Sequence, residues 1–170
     1  MSTASLPVAA SGWRWLPLAV AVIVLDQASK AWILHHFLLF ERVHLLPVLD
    51  VILTYNTGAA FSMLAGAAGW TRWFFILLAL AIVAGIVTWL MRMPANANRW
   101  MTAGLALVAG GALGNAMDRV THGYVVDFLQ FHWQGWFFPA FNAADSAITV
   151  GAILLILDGM FLQRRDKSVK

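Results

Sequence analysis

No cysteine occurs in the 170 residues, which removes disulfides, thiolate metal sites and cysteine nucleophiles together and leaves the redox compartment open. Charge is scarce as well. Asp, Glu, Lys and Arg make up 11% of the chain, against about 25% in an average globular domain. Beside 61% hydrophobic residues, so little charge argues against a soluble protein and for an integral membrane protein. The formal net charge of +3 comes from the chain ends and one loop. No basic stripe with interleaved aromatics accompanies it, so nucleic-acid binding is not expected, and membrane lipids with anionic headgroups are the expected partners of those charges. A Gly-x-Ser-x-Gly elbow, a phosphate loop and a dinucleotide fingerprint are all missing. The five histidines (His35, His36, His44, His122, His132) lack metal-ligand spacing and read as surface or interface residues. No internal repeat, low-complexity tract or soluble segment divides residues 1–170, so a single integral membrane domain is expected.

What is present is hydrophobic sequence in long runs. A membrane span needs roughly 20 apolar residues, and four segments qualify: about 13–34, 70–91, 100–117 and 142–162. The first run, behind Arg14, imitates a secretory signal, but no small-residue cleavage site follows it, so it reads as a retained span. Tryptophans 13, 32, 70 and 100 sit at span ends, where amphipathic rings favour the interface. Gly104, Gly110, Gly111 and Gly114 in the third span predict close packing against a neighbouring helix. Seven of the eleven Lys and Arg residues lie on the side of the termini and the 93–98 loop, which predicts that both termini are cytoplasmic. The two longer connections, 35–69 and 118–141, then face outward. Residues 48–55 and 125–133 read as strands, with turns at 56–58 and at Gln134-Gly135, so a small β-layer is expected on the outer membrane surface.

Against this background a few polar residues stand out. Carboxylates near hydrocarbon cost a few kcal/mol or more (roughly 10 in some simulations), which makes each a functional-site hypothesis. Asp127, in Val126-Asp127-Phe128, and Asp145, in Asn142-Ala143-Ala144-Asp145, border hydrophobic segments. One reading makes them a loop carboxylate and a helix N-terminal one with Asn142 as its cap. The other makes them a pair sharing a proton for acid–base work on a peptide bond. Asp26 and Lys30 are four apart on one helical face and either pin the helix end as an ion pair or position substrate. Asn115, Asp118 and Arg119 share a face at the end of the third span, either as a self-satisfied network or as groups that orient the aspartates. Asn56 carries an amide able to bind a peptide backbone in both senses. Asp158 is expected to pair with Arg164 and Arg165 near the inner end of the fourth span.

Five blocks, in order, resemble the lipoprotein signal peptidase (signal peptidase II) family. They are Asp26-Gln27-x-x-Lys30; Asn56-x-Gly58-Ala59-Ala60-Phe61-Ser62; Gly110-Gly111-x-x-Gly114-Asn115-x-x-Asp118-Arg119; Val126-Asp127-Phe128; and Phe141-Asn142-x-Ala144-Asp145-Ser146. The resemblance covers nearly the whole chain and implies an aspartyl endopeptidase of the bacterial inner membrane, active toward the periplasmic face and needing no metal or cofactor; a monomer is expected. Its substrate would be a diacylglyceryl-modified prolipoprotein, cut just before the lipidated cysteine. By position Asp127 and Asp145 correspond to the catalytic pair, Asn56, Asn115, Arg119 and Asn142 to polar residues lining the site, and Asp26 and Lys30 to the first motif, with Asp118 beside them. The implied fold is a membrane all-α one with a small β element: four transmembrane helices, an outward β-cradle and a short periplasmic amphipathic helix. Two other classes stay in view: a small channel or transporter using Asp26, Lys30, Asp118 and Asp145 as an ion path, and a non-catalytic assembly subunit.

Overall fold

The computed structural model describes residues 12–58, 69–94 and 97–162. Among these residues, four helices are long and apolar enough to cross a membrane: Gly12–His36, Trp70–Arg92, Arg99–Thr121 and Ala143–Met160. Helix is the form an isolated span must take, because every backbone N–H and C=O then finds a partner without water. In chain order the elements are α1 (Leu16–His36), β1 (Arg42–Leu46), β2 (Leu49–Asn56), α2 (Trp70–Arg92), α3 (Arg99–Thr121), β3 (Val125–Trp133), β4 (Trp136–Phe137) and α4 (Ala143–Leu157). A 3-10 turn, Gly12–Trp15, leads into α1, and one wide helical turn, Asp158–Leu162, continues α4. The third helix runs about one turn further than its hydropathy predicts, and that extra turn carries Asp118 and Arg119.

Helix α3 is the centre of the bundle and packs against α1, α2 and α4. In its most apolar stretch 56% of residues are buried, against 17–28% in the other three, which leave their remaining apolar faces outward. Its glycines make this possible, as their spacing predicts. A Cβ at Gly111 would collide with the carbonyl oxygen of Ala144 in α4, and one at Gly114 would lie 2.6 Å from the Asp26 carboxylate in α1. Any larger residue therefore pushes α4 or α1 off the centre. Gly111→Ala, which meets backbone rather than a flexible side chain, is expected to cost about 1–3 kcal/mol by overpacking, measured as a lowered unfolding temperature in detergent.

A side-chain cap fixes the start of α3. Asn98 accepts from Trp100 N at 3.0 Å at the start of α3, and its Nδ2 donates to Asp158 Oδ1 at 2.5 Å, tying the start of α3 to the end of α4. Asp158 thus finds its partner in an asparagine. Arg164 and Arg165 lie outside the described residues.

The four strands form one antiparallel sheet in the order β1-β2-β3-β4. Strands β2 and β3 match the two strand-like segments of the sequence. The β3–β4 hairpin turns at Gln134-Gly135, both at positive φ (48° and 84°), the geometry that two-residue hairpins favour. Strands β1 and β4 were not expected; β1 is exposed along its whole length and β4 has only two residues. A buried seam of Ile33 from α1, Leu53 from β2, and Val126 and Phe128 from β3 seats the sheet on one end of the bundle. That seating delivers the ends of β2 and β3 to the polar ends of α1, α3 and α4. The short amphipathic helix anticipated after β2 falls on residues outside the described set.

Candidate active site

Asn142 organises the site. It caps α4 with its side-chain oxygen, which accepts from Asp145 N at 2.9 Å, while its own backbone N–H donates to Asp145 Oδ2 at 3.2 Å. The cap itself was legible from Asn142 ahead of the fourth span; the return bond that makes it a reciprocal box was not. Less legible is what the amide nitrogen does. Its Nδ2 donates to Asp127 Oδ1 at 2.8 Å, to Asn115 Oδ1 at 3.1 Å and to Val126 O at 3.2 Å, and the residue is fully buried. One side chain therefore holds β3 and its aspartate against the helix that carries the other aspartate.

Asn115 completes the link. Its Nδ2 donates to Asp145 Oδ1 at 2.7 Å, while its oxygen accepts from Asn142 and, at 3.1 Å, from Lys30 Nζ. Lys30 is 2% exposed and lies between Asp26 Oδ2 at 2.8 Å and Asp118 Oδ2 at 2.9 Å. Both carboxylates have further donors. Ala144 N in α4 reaches Asp26 Oδ1 at 2.9 Å, Val126 N in β3 reaches Asp118 Oδ2 at 3.0 Å, and Gln27 Nε2 reaches Asp118 Oδ1 at 2.9 Å. The Asp26–Lys30 pair expected from i,i+4 spacing is thus the core of a three-charge cluster that joins α1, α3, α4 and β3. Gln27 is the member that spacing arguments passed over. Its place beside Asp26 was visible, but its reach to α3 depends on how the helices pack.

Asn56, at the end of β2, donates from Nδ2 to Asp127 Oδ2 at 3.1 Å and accepts Gly58 N at 3.0 Å. Arg119 anchors the following turn through Nη2 to Gly58 O at 2.9 Å, and its guanidinium lies 4.8 Å from the centre of the Phe75 ring. Asp127 and Asp145 open with Asn56, Asn115 and Arg119 onto one cavity of about 690 Å³, whose other walls are chiefly apolar. Burial, and then the charge of Asp145, push the Asp127 carboxyl from its ordinary 3.8 up to about 7, against the opposing hydrogen bonds of Asn56 and Asn142 and the charge of Lys30. Two carboxyls so placed titrate as a pair and retain a proton near neutral pH. Every residue singled out for the site in the sequence lies in this network. The amide hub that unites them, by contrast, is a product of tertiary packing.

The chain as a whole has clear relatives. Residues 18–161 match the family described as Signal peptidase (SPase) II. The chain belongs to the signal peptidase II family. Lipoprotein signal peptidases similar to it include that of Pseudomonas fluorescens strain Pf0-1, 51% identical with 89% of each chain covered. That of Yersinia enterocolitica is 44% identical with 96% of each covered, and that of Pseudomonas aeruginosa PAO1 is 50% identical with 89% of this chain and 90% of the relative covered. Two solved structures described as bacterial membrane enzymes, determined by the in meso method at 2.3 Å and 1.9 Å, share the fold with TM-scores of 0.78 and 0.75. The first is 31% identical and covers 92% of both chains; the second is 32% identical and covers 87% of this chain and 93% of that one. Signal peptidase II is an aspartic-protease family, so the channel and scaffold readings give way to an enzyme. For this signal peptidase II, the multi-pass membrane character expected from composition agrees with its four apolar helices and with those membrane-enzyme neighbours.

Proposed function

We propose that this signal peptidase II is a single-domain, monomeric endopeptidase that removes the signal peptide from diacylglyceryl-modified prolipoproteins, cutting just before the lipidated cysteine, with Asp127 and Asp145 as its catalytic pair. The observation that carries this reading is the shared hub. Asn142 and Asn115 bind both carboxyls, and both carboxyls line one cavity whose remaining walls are mostly apolar. Asp145 accepts from Asn115 Nδ2 and from the backbone N–H of the N-cap Asn142, at the positive end of the α4 dipole. It acts as the base and takes a proton from the attacking water. Asp127 holds the other proton and donates it to the scissile carbonyl oxygen as the tetrahedral carbon forms. On collapse the leaving amine takes a proton from Asp145, and Asp127 recovers its own from the hydroxyl. Neither step calls on a metal or cofactor.

Arg119 and Asn56 hold the turn at Gly58 beside Asp127, where a peptide backbone is to be read. The acyl chains lie along the apolar wall that includes Phe141, Ile148 and Val150, where each buried methylene adds roughly 0.8 kcal/mol of anchoring. The site faces the periplasm from the inner membrane, with both termini inside and the sheet cradling the substrate. Asn115 positions the pair from the cavity wall, and Lys30, Asp26 and Asp118 do so from behind it.

The test is a pH–rate profile for purified enzyme in liposomes on a diacylated prolipoprotein. Cleavage requires the proton on Asp127, so the rate is expected to fall tenfold per pH unit above about 7. A rate that stays flat to pH 9 contradicts the assignment. Stability carries the same sign. A carboxyl whose folded-state pKa is raised contributes stability that is full below about 3.8 and lost as pH rises through about 7.

A further inference from the structure

We propose that His44, Asp50 and His132 form a binding site for a divalent transition metal of the zinc type that ties β1, β2 and β3 together. The three residues come from three adjacent strands, and strand register, with His44 opposite Asp50, brings them to one place. His44 Nδ1 lies 2.6 Å and His132 Nε2 3.1 Å from the same oxygen, Asp50 Oδ1, and the three donor atoms fall within 4.8 Å of one another. A tetrahedral zinc site with bonds of about 2.0–2.1 Å has donor–donor edges of roughly 3.3 Å, and the two edges from Asp50 Oδ1, at 2.6 and 3.1 Å, already lie close to that length.

Three further features favour a metal over a plain histidine–aspartate pair. Asp50 is fully buried although the edge strand β1 beside it is exposed throughout, so its carboxylate needs partners from within the sheet. His132 Nε2 is buried and, despite its 3.1 Å approach to Asp50, makes no hydrogen bond of acceptable geometry. Arg42 Nη1 takes the other carboxylate oxygen, Oδ2, at 3.2 Å, and so orients Oδ1 toward the imidazoles, as outer partners of metal-binding carboxylates do. Two imidazoles and one carboxylate suit zinc, copper or nickel and disfavour magnesium or calcium. The exposed side of His44 leaves a fourth position open to solvent. His132 follows Asp127 by five residues on β3, about 16 Å along a strand rising about 3.3 Å per residue, so the ion sits apart from the proposed catalytic pair.

The test is calorimetric titration of chelator-stripped, detergent-purified protein with Zn²⁺, alongside His44→Ala, His132→Ala and a His35→Ala/His36→Ala control. The expected result is one Zn²⁺ per chain and a zinc-dependent rise in unfolding temperature. Affinity should fall at least tenfold in each of the first two variants and stay unchanged in the control. Because the His44 side chain is 75% exposed, His44→Ala carries the test even if His132→Ala fails to fold. No binding by the wild type overturns the proposal, as does unchanged affinity in His44→Ala, loss of binding in the control, or equal binding of Mg²⁺. Arg42 neutralising Asp50 as a closed ion pair would give the first of those results.

Discussion

Asp127→Asn and Asp145→Asn are each expected to slow maturation of a diacylated prolipoprotein by about 10³-fold or more while leaving the fold intact. General acid–base groups contribute typically 10²–10⁴-fold each, and members of a proton-sharing pair act as a unit, so losing either disables both. Folding should survive for a physical reason. Asp127 is 2% exposed, and burial and the Asp145 charge both disfavour its ionised form. A neutral amide of the same shape removes that repulsion, and its oxygen can still accept from either Asn56 or Asn142. The unfolding temperature of Asp127→Asn at pH 8 should therefore match or exceed that of the wild type. Lost cleavage with undiminished stability marks a residue that performs chemistry. Near-normal cleavage in either variant sinks the pair, and loss of folding in both would recast them as structural.

The second large effect is opposite in kind. Lys30→Met is expected to destabilise the enzyme by about 3–5 kcal/mol, the usual cost of breaking a buried ion pair from one side. Asp26 and Asp118 are 0% and 1% exposed, so both carboxylates would lose their cation without gaining water. Their remaining donors, Ala144 N, Val126 N and Gln27, satisfy geometry but carry no full positive charge. Cleavage should fall as well, because Asn115 would no longer be held with its oxygen toward Lys30 and its nitrogen toward Asp145. The triple variant Asp26→Asn/Lys30→Met/Asp118→Asn removes all three charges and should recover most of the lost stability. Chemical unfolding in mixed micelles reads both results. A Lys30→Met protein as stable as the wild type would remove the cluster from this account.

How much of this was legible in the sequence follows from how each contact is made. The four spans announce themselves because lipid demands unbroken apolar length, and β2 and β3 because Val51, Ile52, Thr54, Val125 and Val126 suit a pleated surface. Strand β1 carried no such signal. An edge strand exposed at every position, from Arg42 to Leu46, has no inward face to impose alternation. At the site, contacts within one helix were readable: Asp26 with Lys30, and Asn142 with Asp145. Contacts that cross elements were not. Asn142 to Asp127, Lys30 to Asp118, Gln27 to Asp118 and Asn98 to Asp158 all depend on where α3 lies, and α3 is placed by glycines whose partners the sequence does not name. The histidines show the same limit. His44, Asp50 and His132 have no ligand spacing along the chain, yet sheet register gathers them.

The most direct test of the central claim is mass spectrometry of the products formed when the purified enzyme, in liposomes at pH 6.5, meets a diacylated prolipoprotein. Peptidase action through the Asp127–Asp145 pair predicts one cut, immediately before the lipidated cysteine, absent in both Asp→Asn variants. A cut at any other bond, or an intact substrate under conditions where the protein is folded, contradicts it.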